Sequence, residues 1–228
     1  MKTIGPYTVI NEVIDGNEAL GRYKGLADTN FAKLTGLTLP DNPKVLGQGD
    51  RGVAYDIGGG KVLKVTGDQR EAMSAGKLIN KTLPGLYRVF GVYKDNVDPY
   101  WHYIVQEKLT SISGNSVMKV MTKHLKKFSL DKLISDRGVI AWWMLAKDGN
   151  ADWEQKIYAA WDEWLKTNKV DKNTKDIVDG LRSLTKAGIT FYDLHPGNIM
   201  KSKRGLVIID IGASNSSGGK VVTLKAVK

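Results

Sequence analysis

Cysteine is absent from this chain of 228 residues, and histidine occurs only three times. The lack of cysteine excludes disulfides, thiol nucleophiles and cysteine-ligated zinc, and so few histidines do not favour a histidine-rich metal site. No apolar run approaches the roughly 20 residues that a membrane-spanning helix needs. The first residues lack the apolar core of a signal peptide, because Asn11, Glu12 and Asp15 interrupt it. We therefore expect a cytoplasmic protein with no membrane segment.

The composition is that of an ordinary globular protein, with 42% hydrophobic and 25% charged residues. The length suits one large domain or two small lobes. The 34 basic and 24 acidic residues leave a net charge of +10, and from residue 201 onward only Asp210 is acidic. The basic residues of that stretch are Lys201, Lys203, Arg204, Lys220, Lys225 and Lys228. Such a basic surface favours anionic partners, namely nucleotide phosphates, acidic proteins or nucleic acid.

Residues 41–107 have the pattern of a small β-sheet. Short β-rich runs alternate with turn signals, and Gly58-Gly59-Gly60 is typical of a tight hairpin. The expected strands are Lys44–Leu46, Val53–Ile57, Lys61–Val65, Leu86–Tyr93 and His102–Gln106. A helix is predicted over Gln69–Asn80. The preceding residues 1–40 are predicted to form a leader with a helix around Glu18 to Leu34.

Residues 108–228 have mainly helical periodicity, with apolar stripes at the spacing of an amphipathic helix. The first stripe includes Val117, Val120, Met121, Leu125 and Phe128, the second Trp153, Ile157, Trp161, Trp164 and Leu165, and the third Ile177, Leu181 and Leu184. Gly188 follows the third stripe as a C-terminal cap. The tryptophans could form a base-stacking platform, but at this spacing core packing is the favoured interpretation.

The segment from Gly47 to Gly52 carries the spacing G-x-G-x-x-G. A dinucleotide-binding fingerprint would need a helix after it, whereas a strand is predicted here. No Gly-Lys-Ser/Thr follows, so a P-loop is excluded as well. A strand–loop–strand flap can lay backbone without side chains over phosphates. The alternative is an ordinary glycine-rich turn without a ligand.

Lys64 lies within the third predicted strand. Side chains alternate along a strand, so Lys64 shares a face with Val62. Leu63 and Val65 then point to the opposite face. A lysine in such an apolar strand must reach solvent or meet an anion. Beneath a glycine flap that anion would be a phosphate, and the alternative is an exposed strand lysine.

The strongest motif is Asp193-Leu194-His195-Pro196-Gly197-Asn198, which is followed by the apolar strand Leu206–Ile209 and then by Asp210-Ile211-Gly212. Oxygen ligands from Asn198 and Asp210 suit Mg²⁺, which binds nucleotide phosphates through few protein groups. Asp193 is then available to orient a hydroxyl nucleophile. The alternative, a polar turn that closes a β-hairpin, does not usually require D-x-x-x-x-N and D-x-G together.

Together, these motifs resemble those of the protein-kinase-like fold: a glycine loop, a strand lysine, a D-x-x-x-x-N catalytic loop and D-x-G in place of Asp-Phe-Gly. The catalytic loop is most similar to that of aminoglycoside and choline phosphotransferases. The glycine loop, the lysine strand and the compact ending are similar to the early serine/threonine protein kinases of short-tailed bacteriophages. The resemblance covers residues 45–212 and implies a bilobal α+β fold. In that fold residues 41–107 form a small antiparallel β N-lobe, and residues 108–228 form a shortened, mainly helical C-lobe.

The resemblance also implies ATP and Mg²⁺ as ligands and gives each motif a role. It places Gly47, Gly49 and Gly52 over the phosphates of ATP. Lys64 would bind the α- and β-phosphates, with Glu71 as its ion-pair partner. Ala54 and Val62 would cover the adenine, and the hinge would extend from Glu107 to Leu109. In the catalytic centre the resemblance places Asp193 as base, Lys64 and Asn198 beside it, and Asn198 and Asp210 as ligands of Mg²⁺. Phe191 and Tyr192 replace the usual His-Arg, so no switch that reads a phosphorylated activation loop is expected.

The implied function is an ATP- and Mg²⁺-dependent phosphotransferase, most closely a minimal phage-type serine/threonine protein kinase that acts on host proteins in the bacterial cytoplasm. The alternatives are a small-molecule phosphotransferase, and a kinase-like binding module that sequesters a host protein or nucleic acid. The expected partners are ATP and a protein substrate, an acidic host protein docked by the basic tail, with nucleic acid less favoured. In a competing interpretation the tail is a strand, because Val222, Leu224 and Ala226 alternate with polar residues.

Overall fold

The structure is a computed structural model that describes residues 14–95, 97–112, 172–191, 196–212, 214–215 and 219–226. In this part of the chain no helix is both long and apolar enough to span a membrane. The first two predicted apolar stripes, within residues 117–165, lie outside the described residues, and so does Asp193.

The described residues form an α+β fold with a six-stranded sheet, two small two-stranded sheets and a few helices. The helices are α1 (Gly16–Gly25), α2 (Phe31–Thr35), α3 (Gln69–Gly76) and α4 (Lys172–Lys186), with 3₁₀ turns at Leu26–Asp28 and Pro196–Asn198. The strands are β1 (Lys44–Gly49), β2 (Gly52–Asp56), β3 (Lys61–Thr66), β4 (Val89–Lys94), β5 (His102–Glu107), β6 (Thr190–Phe191), β7 (Ile199–Ser202), β8 (Gly205–Ile208), β9 (Ser214–Asn215) and β10 (Val222–Thr223). The prediction of an α+β fold with a mostly antiparallel sheet is confirmed.

The six-stranded sheet has the order β1-β2-β3-β5-β4-β10. Its strands are antiparallel except β10, which runs parallel to β4. The five strands predicted between residues 44 and 107 are present, but β4 begins at Val89 rather than at Leu86. Leu86 instead forms a bridge with Ile208 of β8. A partner that is distant in sequence therefore sets the start of this strand.

The helix predicted over Gln69–Asn80 is shorter than expected and ends at Gly76. Beyond it the amides of Lys77 and Leu78 bond to carbonyls three residues earlier, so the chain tightens and leaves the α-helix. A Cβ atom at Gly76 would lie 2.7 Å from the carbonyl oxygen of Lys220. The end of α3 is thus packed against the C-terminal segment, which only a glycine permits at this distance.

The sheet separates two apolar cores. On one face α1 and α2 cover the strands, where Tyr23 and Phe31 pack in the same buried cluster as Leu63 and Val65 of β3. The segment predicted as a leader is therefore, from residue 14 onward, part of a core. The other face packs against α3, α4 and the β7–β8 hairpin, which share the second cluster.

α4 carries the third predicted apolar stripe, with Ile177, Leu181 and Leu184 buried as expected. A Cβ atom at Gly180 would lie 2.5 Å from the carbonyl oxygen of Gly85. The helix backbone therefore lies directly against the chain that leads into β4, and this contact connects α4 to the sheet.

The C-terminal segment adds the sixth strand to the sheet. β10 pairs with β4, and Leu224 next to it is only 1% exposed. Two bonds then join Lys225 to Asn30, one from each backbone amide. The tail has the strand that the alternation of Val222, Leu224 and Ala226 predicted. It is a structural element of the sheet and not a freely extended basic arm.

Candidate functional site

An ion pair between β3 and α3 forms the centre of the candidate site. The Nζ atom of Lys64 lies 2.6 Å from Oε1 of Glu71, which is the partner predicted from the sequence. Lys64 lies on the face of β3 opposite Leu63 and Val65, as strand alternation requires. The Glu71 side chain is only 3% exposed. The pair is therefore largely withdrawn from solvent.

The start of α3 positions Glu71. The carboxylate of Asp68 caps the helix by accepting bonds from the amides of Arg70 and Glu71 at 2.9 and 3.3 Å. The hydroxyl of Thr66 accepts a bond from the Asp68 amide and lies 3.2 Å from Oε2 of Glu71. Both carboxylate oxygens of Glu71 thus have partners on or beside β3.

Asp210 is the second carboxylate beside Lys64. Its Oδ1 atom lies 3.6 Å from Nζ of Lys64, and its side chain is 51% exposed. Asp210 follows β8 and has a φ of 52°, a left-handed conformation that aspartate adopts more readily than most residues. Half of this carboxylate remains accessible to a ligand while the other side faces the lysine.

Burial and charge shift the pKa values of this group. Burial alone would lower the pKa of the Lys64 ammonium, but the carboxylates of Glu71 and Asp210 outweigh it and raise that pKa above its ordinary value. Lys64 is therefore a permanent cation at neutral pH. Burial raises the pKa of the Glu71 carboxyl, and the charge of Lys64 opposes this rise.

Asn198 lies at the open end of the β7–β8 hairpin. It ends the 3₁₀ turn Pro196–Asn198, and its carbonyl oxygen accepts a bond of 2.9 Å from the amide of Ile209. This bond holds Asn198 next to the residue that precedes Asp210. Asn198 and Asp210 supply the hard oxygen donors that Mg²⁺ prefers, so the residues present fit this ion. Among the described residues there is no cluster of three or more His, Cys, Asp or Glu side chains that could hold a metal.

The glycine-rich segment forms the β1–β2 hairpin, and its tip is bonded to the end of β3 and the turn before α3. The carbonyl oxygen of Arg51 accepts bonds from the hydroxyl of Thr66 at 2.8 Å and from the amide of Gly67 at 3.1 Å. Apart from its chain neighbours, no atom of the described residues would lie within 4 Å of a Cβ atom at Gly47 or at Gly49. These two glycines border open space, where backbone could approach a ligand.

The strand register brings the other predicted residues of the sheet next to Lys64. Ala54 of β2 pairs directly with Lys64, and Gly47 of β1 pairs with Ala54. Paired residues in an antiparallel sheet share a face. Val62 lies two residues before Lys64 and pairs with Gln106 of β5. Ala54 and Val62 thus line the same face of the sheet as the lysine.

The predicted hinge contacts the β7–β8 hairpin. Thr110 and Lys201 exchange two backbone hydrogen bonds of 2.9 Å, and Leu109 packs at the edge of the core. The Arg204 guanidinium donates to Oε1 of Glu107 at 2.7 Å and to two carbonyl oxygens of the chain before β4. Arg204 therefore connects the hinge to the hairpin. These three bonds use part of its hydrogen-bonding capacity within the fold, and its role in a basic docking surface stays a prediction.

Four polar residues of this region had no role in the sequence-based prediction: Arg51, Thr66, Asp68 and Tyr87. The spacing of Asp68 and Glu71 is that of a helix N-terminus, a signal that could have been used. Tyr87 is buried, and its hydroxyl has no hydrogen-bond partner among the described residues. Burial raises the pKa of this hydroxyl well above its ordinary value, and the charges of Glu71 and Asp210 raise it further.

No protein-family model matches the sequence, and no curated protein matches it either. The geometry of the site is therefore the basis for assigning its chemistry. That geometry brings Lys64, Glu71 and Asp210 together on the sheet face that Gly47 and Ala54 share, and a backbone bond to Ile209 holds Asn198 near Asp210. It does not include Asp193, which lies outside the described residues.

Proposed function

We propose that the protein is an ATP- and Mg²⁺-dependent phosphotransferase with a bilobal, kinase-like organisation. Residues 41–107 would form the smaller lobe and residues 108–228 the larger. One observation carries this proposal: Lys64 is held 2.6 Å from Glu71 and 3.6 Å from Asp210, on the sheet face that it shares with Ala54 and Gly47 of the glycine hairpin. A buried ion pair is a weak source of stability, because desolvation offsets most of the attraction. Its presence beside a half-exposed carboxylate supports a functional role.

The roles of the residues follow from charge. Lys64 would neutralise the α- and β-phosphates, and Glu71 would hold its ammonium in place. Gly47 and Gly49 would cover the phosphates with backbone, since nothing in the described chain fills the space beside them. Asp210 and Asn198 would hold Mg²⁺, which supplies positive charge to the phosphates when bound.

The acceptor in this proposal is a serine or threonine hydroxyl of a host protein, met in the bacterial cytoplasm. Asp193 would orient that hydroxyl and accept its proton as transfer proceeds. Transfer of a phosphoryl group depends mainly on positioning and on charge neutralisation, which this set of residues can provide. The alternative acceptor is a small-molecule alcohol, and the similarity of Asp193-Leu194-His195-Pro196-Gly197-Asn198 to small-molecule phosphotransferases favours it.

A transfer experiment distinguishes these acceptors. The purified protein is incubated with γ-labelled ATP and Mg²⁺ in a bacterial lysate, and label is followed in proteins and in small molecules. We expect label in proteins, a loss of transfer in Asp210→Asn, and wild-type transfer in Asp98→Asn. Asp98 is a suitable control, because it also pairs with a cation, Arg22 of α1, at 2.6 Å, and α1 covers the sheet face opposite Lys64. Label only in small molecules would favour the alternative, and no transfer by the wild type would contradict both.

A further inference from the structure

Arg51 is a cation next to the candidate site, and none of the sequence motifs assigns it a part in ligand binding. It lies at the tip of the β1–β2 hairpin, between two glycines of the G-x-G-x-x-G segment. Its Nη1 atom donates to Oδ2 of Asp68 at 2.6 Å, and its side chain is 47% exposed. The half-exposed guanidinium of Arg51 therefore lies at the point where the hairpin backbone is bonded to Thr66 and Gly67, just before α3.

The surroundings of Asp68 locate this guanidinium. A Cβ atom at Gly212 would lie 2.9 Å from the same Oδ2 atom of Asp68 that accepts from Arg51. Gly212 is two residues beyond Asp210, so Arg51 lies beside the segment that carries the half-exposed carboxylate. The bond to Asp68 raises the pKa of Arg51, and the charge of Asp210 adds to this effect. Lys64 thus lies 3.6 Å from Asp210, and Arg51 is a second cation, bonded to Asp68 next to Gly212 of the same segment.

Arg51 can leave Asp68 without leaving this carboxylate unsatisfied. The Arg51 side chain is 47% exposed, so water can replace its bond, whereas the Asp68 side chain is only 6% exposed and must be satisfied by its other partners. Asp68 keeps its bonds to the amides of Arg70 and Glu71 when Arg51 leaves, and Nε of Arg70 lies 3.8 Å from it. The cap of α3 therefore does not depend on Arg51. The carbonyl bonds to Thr66 and Gly67 keep the backbone of Arg51 in place while its side chain moves.

We propose that Arg51 is a further phosphate-binding residue, which leaves Asp68 and binds the terminal phosphate of the nucleotide. This inference rests on the proposed function. A guanidinium can donate two parallel bonds to phosphate oxygens, whereas Arg51 donates a single bond to Asp68. The terminal phosphate of a triphosphate offers the oxygens and the charge that a diphosphate lacks at that position. Arg51 would therefore discriminate ATP from ADP.

The test compares nucleotide affinities of variants by calorimetry, with Mg²⁺ present. For Arg51→Gln we expect a loss of ATP affinity of about 10- to 100-fold, which is the usual effect of losing a charge-assisted bond. ADP affinity should change much less. Arg51→Lys keeps the charge and should lose less than Arg51→Gln. Arg70→Gln is the matched control, because it removes the same charge from the vicinity of Asp68 and should bind both nucleotides as the wild type does.

Asp68→Asn separates phosphate binding from a purely structural role. Asparagine still caps a helix, but it no longer holds Arg51 by charge. If Arg51 binds phosphate, this variant should bind ATP at least as tightly as the wild type. If Arg51 serves only to fix α3 through Asp68, this variant should weaken ATP binding as Arg51→Gln does, and the proposal is overturned.

The remaining outcomes are also decisive. Wild-type ATP affinity in Arg51→Gln overturns the proposal, and so does an equal loss in Arg70→Gln, which would indicate a general effect of surface charge. Equal losses of ATP and ADP in Arg51→Gln overturn the assignment to the terminal phosphate. A wild-type protein that binds neither nucleotide contradicts the proposed function itself, so that failure is distinguishable from a failure at Arg51.

Discussion

Gly52 lies directly against the backbone of Val65 in the neighbouring strand. A Cβ atom at Gly52 would stand 2.6 Å from the carbonyl oxygen of Val65, closer than side-chain carbons come to backbone in proteins. At Gly49, on the other side of the hairpin tip, such an atom would have none of the described residues within 4 Å except its chain neighbours. Glycine is thus present at these two positions of one motif for different physical reasons. At residue 52 the neighbouring strand leaves no room for a side chain, and residue 49 borders open space.

The first prediction uses this difference. Gly52→Ala should lower the free energy of unfolding by about 1–3 kcal/mol, because the new methyl group forces the strands apart. Gly49→Ala should change it by less than about 0.5 kcal/mol, as for an exposed position. Urea unfolding of both variants measures the two values. Equal effects would show that the contact between Gly52 and Val65 does not limit the packing.

The second prediction compares two ion pairs of equal length and different burial. Glu71→Gln leaves a buried cation without its main partner, and the free energy of unfolding should fall by about 3 kcal/mol or somewhat less, since Asp210 remains near Lys64. Lys108→Gln breaks the 2.6 Å pair with Asp56, which is more exposed. It should cost much less than Glu71→Gln, because solvent screens an exposed pair. Chemical denaturation checks both, and a larger loss in Lys108→Gln would contradict the role of burial.

The third prediction concerns two buried tyrosines. The hydroxyl of Tyr87 has no hydrogen-bond partner among the described residues, whereas that of Tyr103 donates to Asp95 at 3.0 Å. Tyr87→Phe should therefore keep or increase thermal stability, because it removes a buried polar group without a partner. Tyr103→Phe should lose about 0.5–1.5 kcal/mol. Melting curves of both variants measure these changes in stability. A marked destabilisation by Tyr87→Phe would mean that its hydroxyl has a partner.

The fourth prediction tests whether the C-terminal segment is structural. Leu224 is buried between the sheet and the N-terminal helices, so Leu224→Ala should cost about 2–5 kcal/mol. Lys225 beside it has an exposed side chain, and Lys225→Gln should melt like the wild type. If Leu224→Ala melted like the wild type as well, β10 would not contribute to the sheet in solution.

Much of the sheet could be predicted from local sequence, because each feature depends on neighbouring residues. Alternation along Lys61–Val65 placed Lys64 on the face opposite Leu63. The three consecutive glycines predicted the β2–β3 hairpin, and their φ angles of 78°, 58° and 71° are ones that glycine adopts readily. The apolar spacing of Ile177, Leu181 and Leu184 likewise predicted α4. Glu71 was predicted as the partner of Lys64 because it is the only glutamate between Lys64 and Glu107.

The remaining features depend on residues that are far apart in sequence, and only the tertiary structure decided them. The bonds of Arg204 to Glu107 span 97 positions, and those of Lys225 to Asn30 span 195. No local pattern distinguishes such an arginine or lysine from a solvated one. The need for glycine at residue 52 and the pairing of Arg51 with Asp68 arise in the same way. Each depends on how closely the folded chain brings a second segment, and that distance is not encoded in the spacing of neighbouring residues.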